Sequence, residues 1–301
     1  MNQTAALILN WNQPFLTILT VESLLLSTQV PDIHLLDNGS TDNSLSLLRH
    51  YFADYPNVFI HHSPTNLGYG GGHNFLRRQI QNQPYQFYLI VNNDVIFSPS
   101  CYPFLLDHLS THQHLIATSP KIFFAPGYEY QSNYPSSQLG HIIWAYGGQF
   151  DFANYYGSNH GIDQPDNPAF NQTYQPDFIS GCCLLIRTQG LGDYIFDPRY
   201  CLYLEDVELS FRLRRQGHRF DVFPSAHIWH LNSASTGGRP NHYHDYYLIR
   251  NRLLLASSYA PLRTRLAVYR DALRLLFSGT KWQKFGALDY FLGRFGYKTI
   301  T

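Results

Sequence analysis

The 301-residue sequence predicts an α/β fold in which helices cover both faces of a mostly parallel central sheet. Three observations predict this fold class. In the first half of the chain, short apolar runs alternate with longer segments that carry apolar residues at helical spacing. This alternation is typical of parallel strands joined by helices. Hydrophobic residues make up 44% of the chain, enough for a packed core. Polar clusters also follow the short runs, where sheets of this kind bind ligands.

The strands and helices of the first half follow one another in a regular order. The second helix is expected to take Ser40 or Thr41 as its cap, because a hydroxyl can accept a hydrogen bond from a free backbone N–H. The third helix begins in a glycine-rich stretch. The predicted elements are strand 5–9, helix 14–27, strand 33–36, helix 41–52, strand 58–60, helix 70–80 and strand Phe87–Val91.

The second half contains more loop sequence. Residues 126–176 are rich in Tyr, Asn, Gly, Pro and Ser, which indicates long loops with a hairpin near residues 142–152. A buried strand at 178–187, a helix at 205–216 that stops at Gly217, and a short strand at 220–223 follow. Helices are expected from Tyr243 onward. We therefore predict one domain over residues 1–240 and a helical extension over 241–301.

Composition excludes several functional classes. Lys+Arg and Asp+Glu both count 21, so the chain lacks the basic excess of many nucleic-acid-binding proteins. The four cysteines show no CxxC spacing, which disfavours a disulfide framework or a zinc site and fits a reducing compartment. The N-terminus has no basic region of the signal-peptide type, and no apolar run reaches the roughly 18 residues of a membrane span. A cytoplasmic protein is expected.

Three polar clusters follow predicted parallel strands and should therefore meet at one edge of the sheet. They begin at Asn10, at Asp37 and at Asn92. The cluster DNGSTD suits a plain strand–turn–helix, or a carboxylate that bonds a nucleobase or ribose. The cluster NND suits a turn, or a cation site in which Asp94 supplies a hard oxygen ligand. One carboxylate holds a divalent ion weakly, and Mg²⁺ sites commonly add substrate phosphates.

The stretch NLGYGGGHN begins at Asn66. Its glycines allow the backbone to approach a ligand closely, and the helix that follows favours an anionic group at its N-terminus. The stretch is not a Walker loop, because no Gly-Lys-Ser/Thr follows. A flexible loop is the alternative.

The acids Glu205 and Asp206 begin a predicted helix. Acidic residues favour the first turn of any helix, which is the structural explanation. The two side chains are about 100° apart around the axis, so one could act as a general base in the cleft while the other holds nearby structure. The helix dipole is expected to keep such a base ionised.

Two further groups remain open. In an extended segment His227 and His230 point to opposite faces, so one of them either ligates a metal near Asp94 or is a hydrogen-bonded structural residue. Arg250 and Arg252 either clamp a diphosphate or belong to a polar helix face.

Taken in order, these clusters resemble the family 2 glycosyltransferases of the GT-A fold, and in particular bacterial rhamnosyltransferase-like members that build surface polysaccharides. The GT-A fold has a Rossmann-like nucleotide-binding half, so the resemblance implies a nucleotide-sugar half at about 1–125 and an acceptor half at about 126–240. The resemblance extends from residue 5 to about residue 255. The matching stretches are LILNWNQ, LLDNGSTDNS, NLGYGGGHNF, LIVNNDV, FISGCCLLIR, FDPRYCLYLEDVELSFRLRRQGHRF, HLNSAST and YYLIRNRLLL.

This resemblance implies an inverting transfer from a nucleotide-diphosphate sugar, with dTDP-rhamnose favoured, to a glycan or lipid-linked acceptor. Asp206 would be the base and Glu205 would lie near the acceptor. Asp94 and His230 would hold Mg²⁺ or Mn²⁺. Asn92 replaces the first acid of the family's DxD motif, so substrate phosphates would complete the coordination. The resemblance and the residue patterns together assign donor binding to Asn10, Asp37, Asn38, Asn66, Gly68, Asn74, Asn93 and Arg250.

Two other functions fit these residues less well. A nucleotidyltransferase that makes sugar nucleotides usually has a glycine-rich loop with Arg and Lys after the first strand, where this chain has NWNQPF. A non-catalytic sugar-nucleotide-binding protein would not need Asp94, Asp206 and His230 together. The tail 262–297 alternates Arg with large apolar residues, so it either contacts an anionic membrane, such as the inner face of the cell membrane, or is an ordinary docked helix pair.

Overall fold

A computed structural model describes residues 2–131, 134–232 and 242–298. The first half contains β1 Thr4–Asn10, α1 Pro14–Leu25, β2 Asp32–Asn38, α2 Ser44–Tyr51, β3 Val58–Ser63, α3 Gly68–Ile80, β4 Phe87–Val91, β5 Val95–Phe97, α4 Cys101–Thr111 and β6 Leu115–Phe124. The second half contains β7 Ile143–Ala145, β8 Gly148–Asp151, β9 Tyr156–Asn159, β10 Cys183–Arg187, α5 Glu205–Arg215, β11 Arg219–His230, α6 His242–Tyr259, α7 Leu262–Ser278 and α8 Lys281–Phe291.

The central sheet has the strand order β3-β2-β1-β4-β10-β6-β11-β5, and β7 pairs with β6. Strands β3, β2, β1 and β4 pair in parallel, as predicted. Strand β10 is antiparallel to β4 and to β6, whereas β11 is parallel to β6. Because β1, β2 and β4 run in the same direction, the polar residues that follow them lie along one edge of the sheet.

Apolar side chains fill both faces of this sheet. In β1, Ala6 and Ile8 pack with α1, α2 and α4 on one side. Ala5 and Leu7 pack with α3 and α5 on the other side. A strand that is buried on both faces needs a continuous apolar run, which explains why AALIL carries no polar alternation.

Two predicted boundaries were wrong for identifiable reasons. Helix α2 begins at Ser44, not at Thr41. Ser40 does not cap it, because the Ser40 hydroxyl accepts a hydrogen bond from the backbone N–H of Asn12 at 3.0 Å. The predicted strand 220–223 is part of the twelve-residue β11, whose register shifts between Phe223 and His227. Pro224 lies in that shift and has no N–H for the ladder.

The middle of the chain also differs in detail from the prediction. Residues 178–182 are not part of a strand, and β10 starts at Cys183. The hairpin is formed by β8 and β9, while β7 joins the central sheet. The sequence of this region mixes short polar and aromatic residues, so it does not show which strand pairs with which.

The C-terminal region is helical, as predicted. Helix α6 packs against α7 and α8, and α7 packs against α8. Thr280 and Gln283 form a capping box at the start of α8. The predicted boundary at 240/241 lies outside the described residues. None of the helices in the described ranges is long and apolar enough to cross a bilayer.

Candidate active site

A buried hydrogen-bond network joins the ends of three parallel strands. Asn10 donates from Nδ2 to Oδ1 of Asp37 at 3.0 Å and accepts at Oδ1 from the Thr17 hydroxyl at 2.8 Å. Asn93 donates to the same hydroxyl at 3.0 Å. The three predicted strand-end clusters therefore meet at one edge of the sheet, and Thr17 of α1 connects them.

Asp37 lies near the end of β2 and is a buried acid. Its residue is only 1% exposed, and His62 lies 3.3 Å from its Oδ2. Asn10 and His62 therefore approach separate oxygens of this carboxylate. The acid is held in a fixed orientation at the place where a donor base is predicted to bind.

Asn38 and Asn66 shape the start of the glycine-rich segment. Asn38 accepts from the N–H of Leu67 at 3.0 Å, and Asn66 accepts from the N–H of Gly68 at 2.7 Å. Gly68 has a φ of +73°, and a Cβ there would lie 2.2 Å from Sγ of Cys201. Only glycine fits this position, because the glycine-rich segment packs directly against Cys201, in the loop that precedes the acid pair.

Two predicted donor-binding residues have their polar groups engaged elsewhere. Asn74 is buried, with its amide bonded to the backbone of Ile195 and Phe196. Arg250 is 0% exposed and donates to Asn251 Oδ1 and to the carbonyls of Gly296 and Arg199. The structure corrects both predictions, because these side chains hold neighbouring backbone rather than face an open cleft.

Arg252, the second arginine of the predicted diphosphate clamp, also lies in packed surroundings. Its guanidinium donates to the carbonyl of Asn154 at 2.6 Å and lies over the ring of Tyr156, 3.9 Å from the ring centroid. It therefore ties α6 to the β8–β9 hairpin.

Asp94 and His230 are brought together from distant parts of the chain. Nε2 of His230 lies 3.2 Å from Oδ1 of Asp94, and both residues are buried. The Trp144 ring packs edge-on against the imidazole, with centroids 4.5 Å apart. Among the described residues, Oδ1 of Asp94 and Nδ1 of His230 make no hydrogen bond. The remainder of the HLNSAST stretch, from Ser233, lies outside the described residues.

The residues of this pair fit a divalent cation that is completed by other ligands. Two ligand atoms of an octahedral ion with bonds of about 2.1 Å stand roughly 3 Å apart, close to the observed spacing. In the described part of the chain, no cluster of three His, Cys, Asp or Glu side chains could hold a metal by itself. Ligands such as substrate phosphates and water would have to complete such a site, in line with the Asn at position 92.

The acid pair follows a strained turn. Tyr203 and Leu204 both have a φ of +66°, and side chains with a Cβ seldom adopt this left-handed conformation. Asn251 of α6 donates from Nδ2 to the carbonyls of Leu202 and Tyr203 at 2.8 and 2.7 Å. Such strain persists where the surroundings hold it, and it is common at functional sites.

Asp206 is partly exposed and oriented by backbone donors. The N–H of Gly181 donates to its Oδ2 at 2.9 Å, and the N–H of Val207 lies 2.8 Å from its Oδ1. These bonds lower the pKa of Asp206, but burial outweighs them and raises it overall. The helix N-terminus and these bonds therefore do not by themselves set the pKa of Asp206, and its ionisation stays a prediction.

Glu205 is more deeply placed than its neighbour. It is 7% exposed, and its Oε2 has no hydrogen-bond partner in the part of the chain that the structure describes. Burial, and then the nearby Asp206 carboxylate, raise the pKa of Glu205. The two adjacent acids therefore differ in environment, which is how one site can hold one carboxylate charged and another protonated.

Cys182 connects the two halves of the site. Burial raises the pKa of its thiol, and the carboxylates of Asp94 and Asp206 raise it further. The Cys182 carbonyl also accepts from the N–H of Asn92 at 2.9 Å. The N–H of the preceding residue, Gly181, bonds to Asp206, and Asn92 lies two residues before Asp94, so the predicted base and the predicted metal ligand lie near the same short segment.

Several residues at this region were not assigned a role from the sequence. Tyr69 donates from its hydroxyl to the carbonyl of Gly181 at 2.6 Å. Thr17, Asn251 and Trp144 each contact one part of the site. Tyr69 and Asn251 lie within the motifs NLGYGGGHNF and YYLIRNRLLL, but nothing local indicates their partners.

Known proteins resemble this chain in sequence. The model of the family "Glycosyl transferase family 2" matches residues 10–187. An N-acetylglucosaminyl-diphospho-decaprenol L-rhamnosyltransferase of Mycobacterium tuberculosis strain CDC 1551 / Oshkosh is 31% identical over 229 residues, which are 72% of each chain. The same enzyme of strain H37Rv matches equally well.

Solved structures resemble it in fold. GalNAc-T7 with UDP, GalNAc and Mn²⁺ has a TM-score of 0.62 at 15% identity over 90% of this chain, which spans 54% of that one. The mannosyltransferase PcManGT of Pyrobaculum calidifontis, with GDP-Man and Mn²⁺, has a TM-score of 0.57 at 10% identity, covering 98% and 88% of the two chains. Residues 1–349 of S. aureus TarS give 0.55 at 14% identity, covering 97% and 81%. The chain thus belongs to glycosyl transferase family 2 and is a glycosyltransferase of the GT-A fold.

Proposed function

We propose that this glycosyltransferase moves a sugar, with inversion, from a nucleotide-diphosphate donor to a hydroxyl of a lipid-linked glycan in the synthesis of a cell-surface polysaccharide. The observation that carries the proposal is the chain of contacts that links Asp206, through the backbone of Gly181 and Cys182, to the segment that carries Asp94, beside His230. The name of the mycobacterial relative supports rhamnose as the sugar and a diphospho-polyprenol saccharide as the acceptor. We favour dTDP-rhamnose as the donor.

Asp206 is the base in this proposal. It is partly exposed, so an acceptor hydroxyl can reach it, and two backbone N–H groups fix its orientation. A carboxylate must take the hydroxyl proton as the oxygen attacks the anomeric carbon from the face opposite the leaving group. The raised pKa of Asp206 makes it a stronger proton acceptor than an ordinary aspartate. Glu205 lies beside it as the acid that contacts the acceptor.

The donor occupies the edge formed by the strand ends. Asp37, Asn10 and Asn93 form the buried network there, and the N-terminus of α3 favours anionic groups. Asp94 and His230 would hold the divalent cation, Mg²⁺ or Mn²⁺. Such a cation supplies positive charge that stabilises the departing nucleoside diphosphate.

The test is a panel of sugar nucleotides with a GlcNAc-diphospho-polyprenol acceptor. We expect transfer from dTDP-rhamnose and a product whose anomeric configuration is opposite to that of the donor, read by NMR. Retention of configuration would overturn the inverting mechanism, and transfer only from another donor would overturn the choice of sugar. Release of pyrophosphate from a nucleoside triphosphate and a sugar phosphate would favour the nucleotidyltransferase alternative.

A matched pair of variants tests the base. Asp206→Asn should abolish transfer and leave donor affinity, measured by calorimetry, within a few-fold of the parent. Asp221→Asn is the control, because Asp221 is a buried acid that pairs with His108 at 2.9 Å and is not part of the site. Near-normal turnover of Asp206→Asn would remove Asp206 from the role of base.

We also propose that helix α7 contacts an anionic membrane, next to the lipid part of the acceptor. Leu262, Leu266, Leu273 and Phe277 are all exposed, Phe277 by 85%. At about 100° per residue they fall within an arc of roughly 60°. This apolar stripe is the kind of surface that inserts into a headgroup region.

Basic side chains border that stripe. Three of them are exposed: Arg263, Arg270 and Arg274. Their mean direction around the helix axis is roughly 100° from that of Leu262. Arg270 and Arg274 each reach Asp271 only at 3.9 Å, so most of their charge remains available to lipid phosphates. Apolar insertion and electrostatic attraction together make the membrane the best-fitting partner.

Vesicle sedimentation tests this contact. The parent should sediment with phosphatidylglycerol vesicles and much less with phosphatidylcholine vesicles. Phe277→Gln should weaken sedimentation severalfold. Phe15→Gln, on α1, is the control because Phe15 is similarly exposed, at 76%. Equal binding to both vesicle types, or equal losses in both variants, would refute the assignment.

A further inference from the structure

Tyr69 lies where the donor segment meets the acid pair. Its backbone N–H donates to the carbonyl of Cys201 at 2.8 Å, in the loop that leads to Glu205. Its hydroxyl donates to the carbonyl of Gly181 at 2.6 Å. One residue of the glycine-rich segment thus contacts both backbone segments that surround Asp206.

Gly181 connects Tyr69 to the proposed base, Asp206. Its N–H donates to Oδ2 of Asp206 at 2.9 Å. The Tyr69 hydroxyl therefore binds the carbonyl of Gly181, and the Asp206 carboxylate binds its N–H. Gly181 has no side chain that could anchor it, so these bonds fix its position.

The Tyr69 side chain is itself firmly held. Its ring packs against His73 and Phe196, with centroids 4.4 and 5.5 Å apart. Burial, together with the charges of Glu205 and Asp206, raises the pKa of Tyr69, so its hydroxyl keeps its proton and remains a donor. Because the ring is held in place, the hydroxyl can fix the orientation of the Gly181 carbonyl to which it donates.

We propose that Tyr69 is a positioning residue that sets the orientation of Asp206 through Gly181, and so ties the donor-binding segment to the base. This inference rests on the proposed function, because it takes Asp206 as the base. The hydrogen bonds of Tyr69 go to backbone groups and not to Asp206 itself. It acts through the two hydrogen bonds Tyr69–Gly181 and Gly181–Asp206, whose partners come from the N-terminus of α3, the segment before β10 and the start of α5.

Tyr69→Phe removes one hydroxyl and leaves the packed ring. A misplacement of about 1 Å at a reacting group can cost on the order of 100-fold in rate. We therefore expect kcat to fall at least about tenfold, with the donor KM within about twofold of the parent, since the interaction lost is one that orients the base.

Tyr85→Phe is the matched control. The Tyr85 hydroxyl is also buried and hydrogen-bonded, to Asp32 at 2.9 Å and to His34 at 3.0 Å. Asp32 begins β2, at the edge of the sheet opposite Asp37. Tyr85→Phe should lose stability and keep kcat. Equal kcat in Tyr69→Phe and the parent, or an equal fall in both variants, would overturn the positioning role.

Hydrogen exchange gives a readout that does not depend on turnover. The N–H of Gly181 should exchange faster in Tyr69→Phe than in the parent, and at the parental rate in Tyr85→Phe. Unchanged protection of Gly181 in Tyr69→Phe would overturn the inference even if the parent transferred no sugar. An inactive parent with the expected exchange pattern would instead count against the proposed function and leave Tyr69 as the holder of Gly181.

Discussion

Replacing Asn251 with alanine tests how the acid pair is presented. Asn251 is 0% exposed and makes three hydrogen bonds: two from Nδ2 to the carbonyls of Leu202 and Tyr203, and one to Oδ1 from Arg250. At about 1 kcal/mol each, their loss costs roughly 3 kcal/mol. The left-handed turn that they hold stores about 1 kcal/mol at each of its two residues.

These magnitudes lead to two measurable results for Asn251→Ala. If the turn relaxes, it recovers up to about 2 kcal/mol of strain, so the free energy of unfolding in urea should fall by only about 1–3 kcal/mol. The same relaxation moves the start of α5, and with it Asp206, so kcat should fall by about 10- to 100-fold.

The control for this variant lies on the same helix. Among the described residues, the Ser257 hydroxyl donates to the carbonyl of Leu254 within α6, so Ser257→Ala should change neither quantity appreciably. The reasoning would be refuted if Asn251→Ala lost 3 kcal/mol or more and kept parental kcat. That result would show that the turn holds its shape without the Asn251 amide.

Three further outcomes are expected. Asp94→Ala should abolish the dependence of calorimetric donor affinity on Mn²⁺; the same metal dependence in variant and parent would exclude Asp94 as a ligand. Burial raises the folded-state pKa of Glu205, so the native state keeps a proton that the unfolded chain loses above about pH 4.3. The melting temperature should therefore fall as the pH rises above about 4.3 toward the raised folded-state pKa of Glu205. Glu205→Gln should flatten that fall, and an unchanged slope would contradict the role of Glu205. Gly68→Ala should destabilise the fold by more than about 2 kcal/mol, because a Cβ would meet Cys201 at a φ of +73°. Gly217→Ala, at a φ of +84° with open space around it, isolates the backbone part of that effect and should cost only about 1 kcal/mol; equal losses in urea unfolding would rule out the clash.

The local sequence predicts the strand-end edge well. The apolar runs of β1 and β4 are continuous because both faces of each strand are buried, and that pattern is visible without a structure; β2 follows it except at His34. Parallel pairing then places Asn10, Asp37 and Asn93 at the same edge, as expected.

The sequence is less informative about where β10 belongs in the sheet. Its run CLLIR predicts a buried strand, but nothing in it indicates antiparallel pairing with β4 and β6. Insertion of β10 at this place brings Gly181 and Cys182 beside the acid pair. The partner of a strand depends on the whole set of packed layers, which a local pattern does not contain.

The sequence alone determined the fold class, the order of the clusters and the residue types at the site, because these depend on periodicity and on the polar residues at the end of each strand. Only the tertiary structure decided what each polar side chain binds. Asn74 bonds to a carbonyl 122 residues away, Tyr69 to one 112 residues away, and Arg250 to one 51 residues away. A buried polar group must find a partner wherever the packed chain supplies one, so its role depends on the assembled fold rather than on its neighbours in sequence.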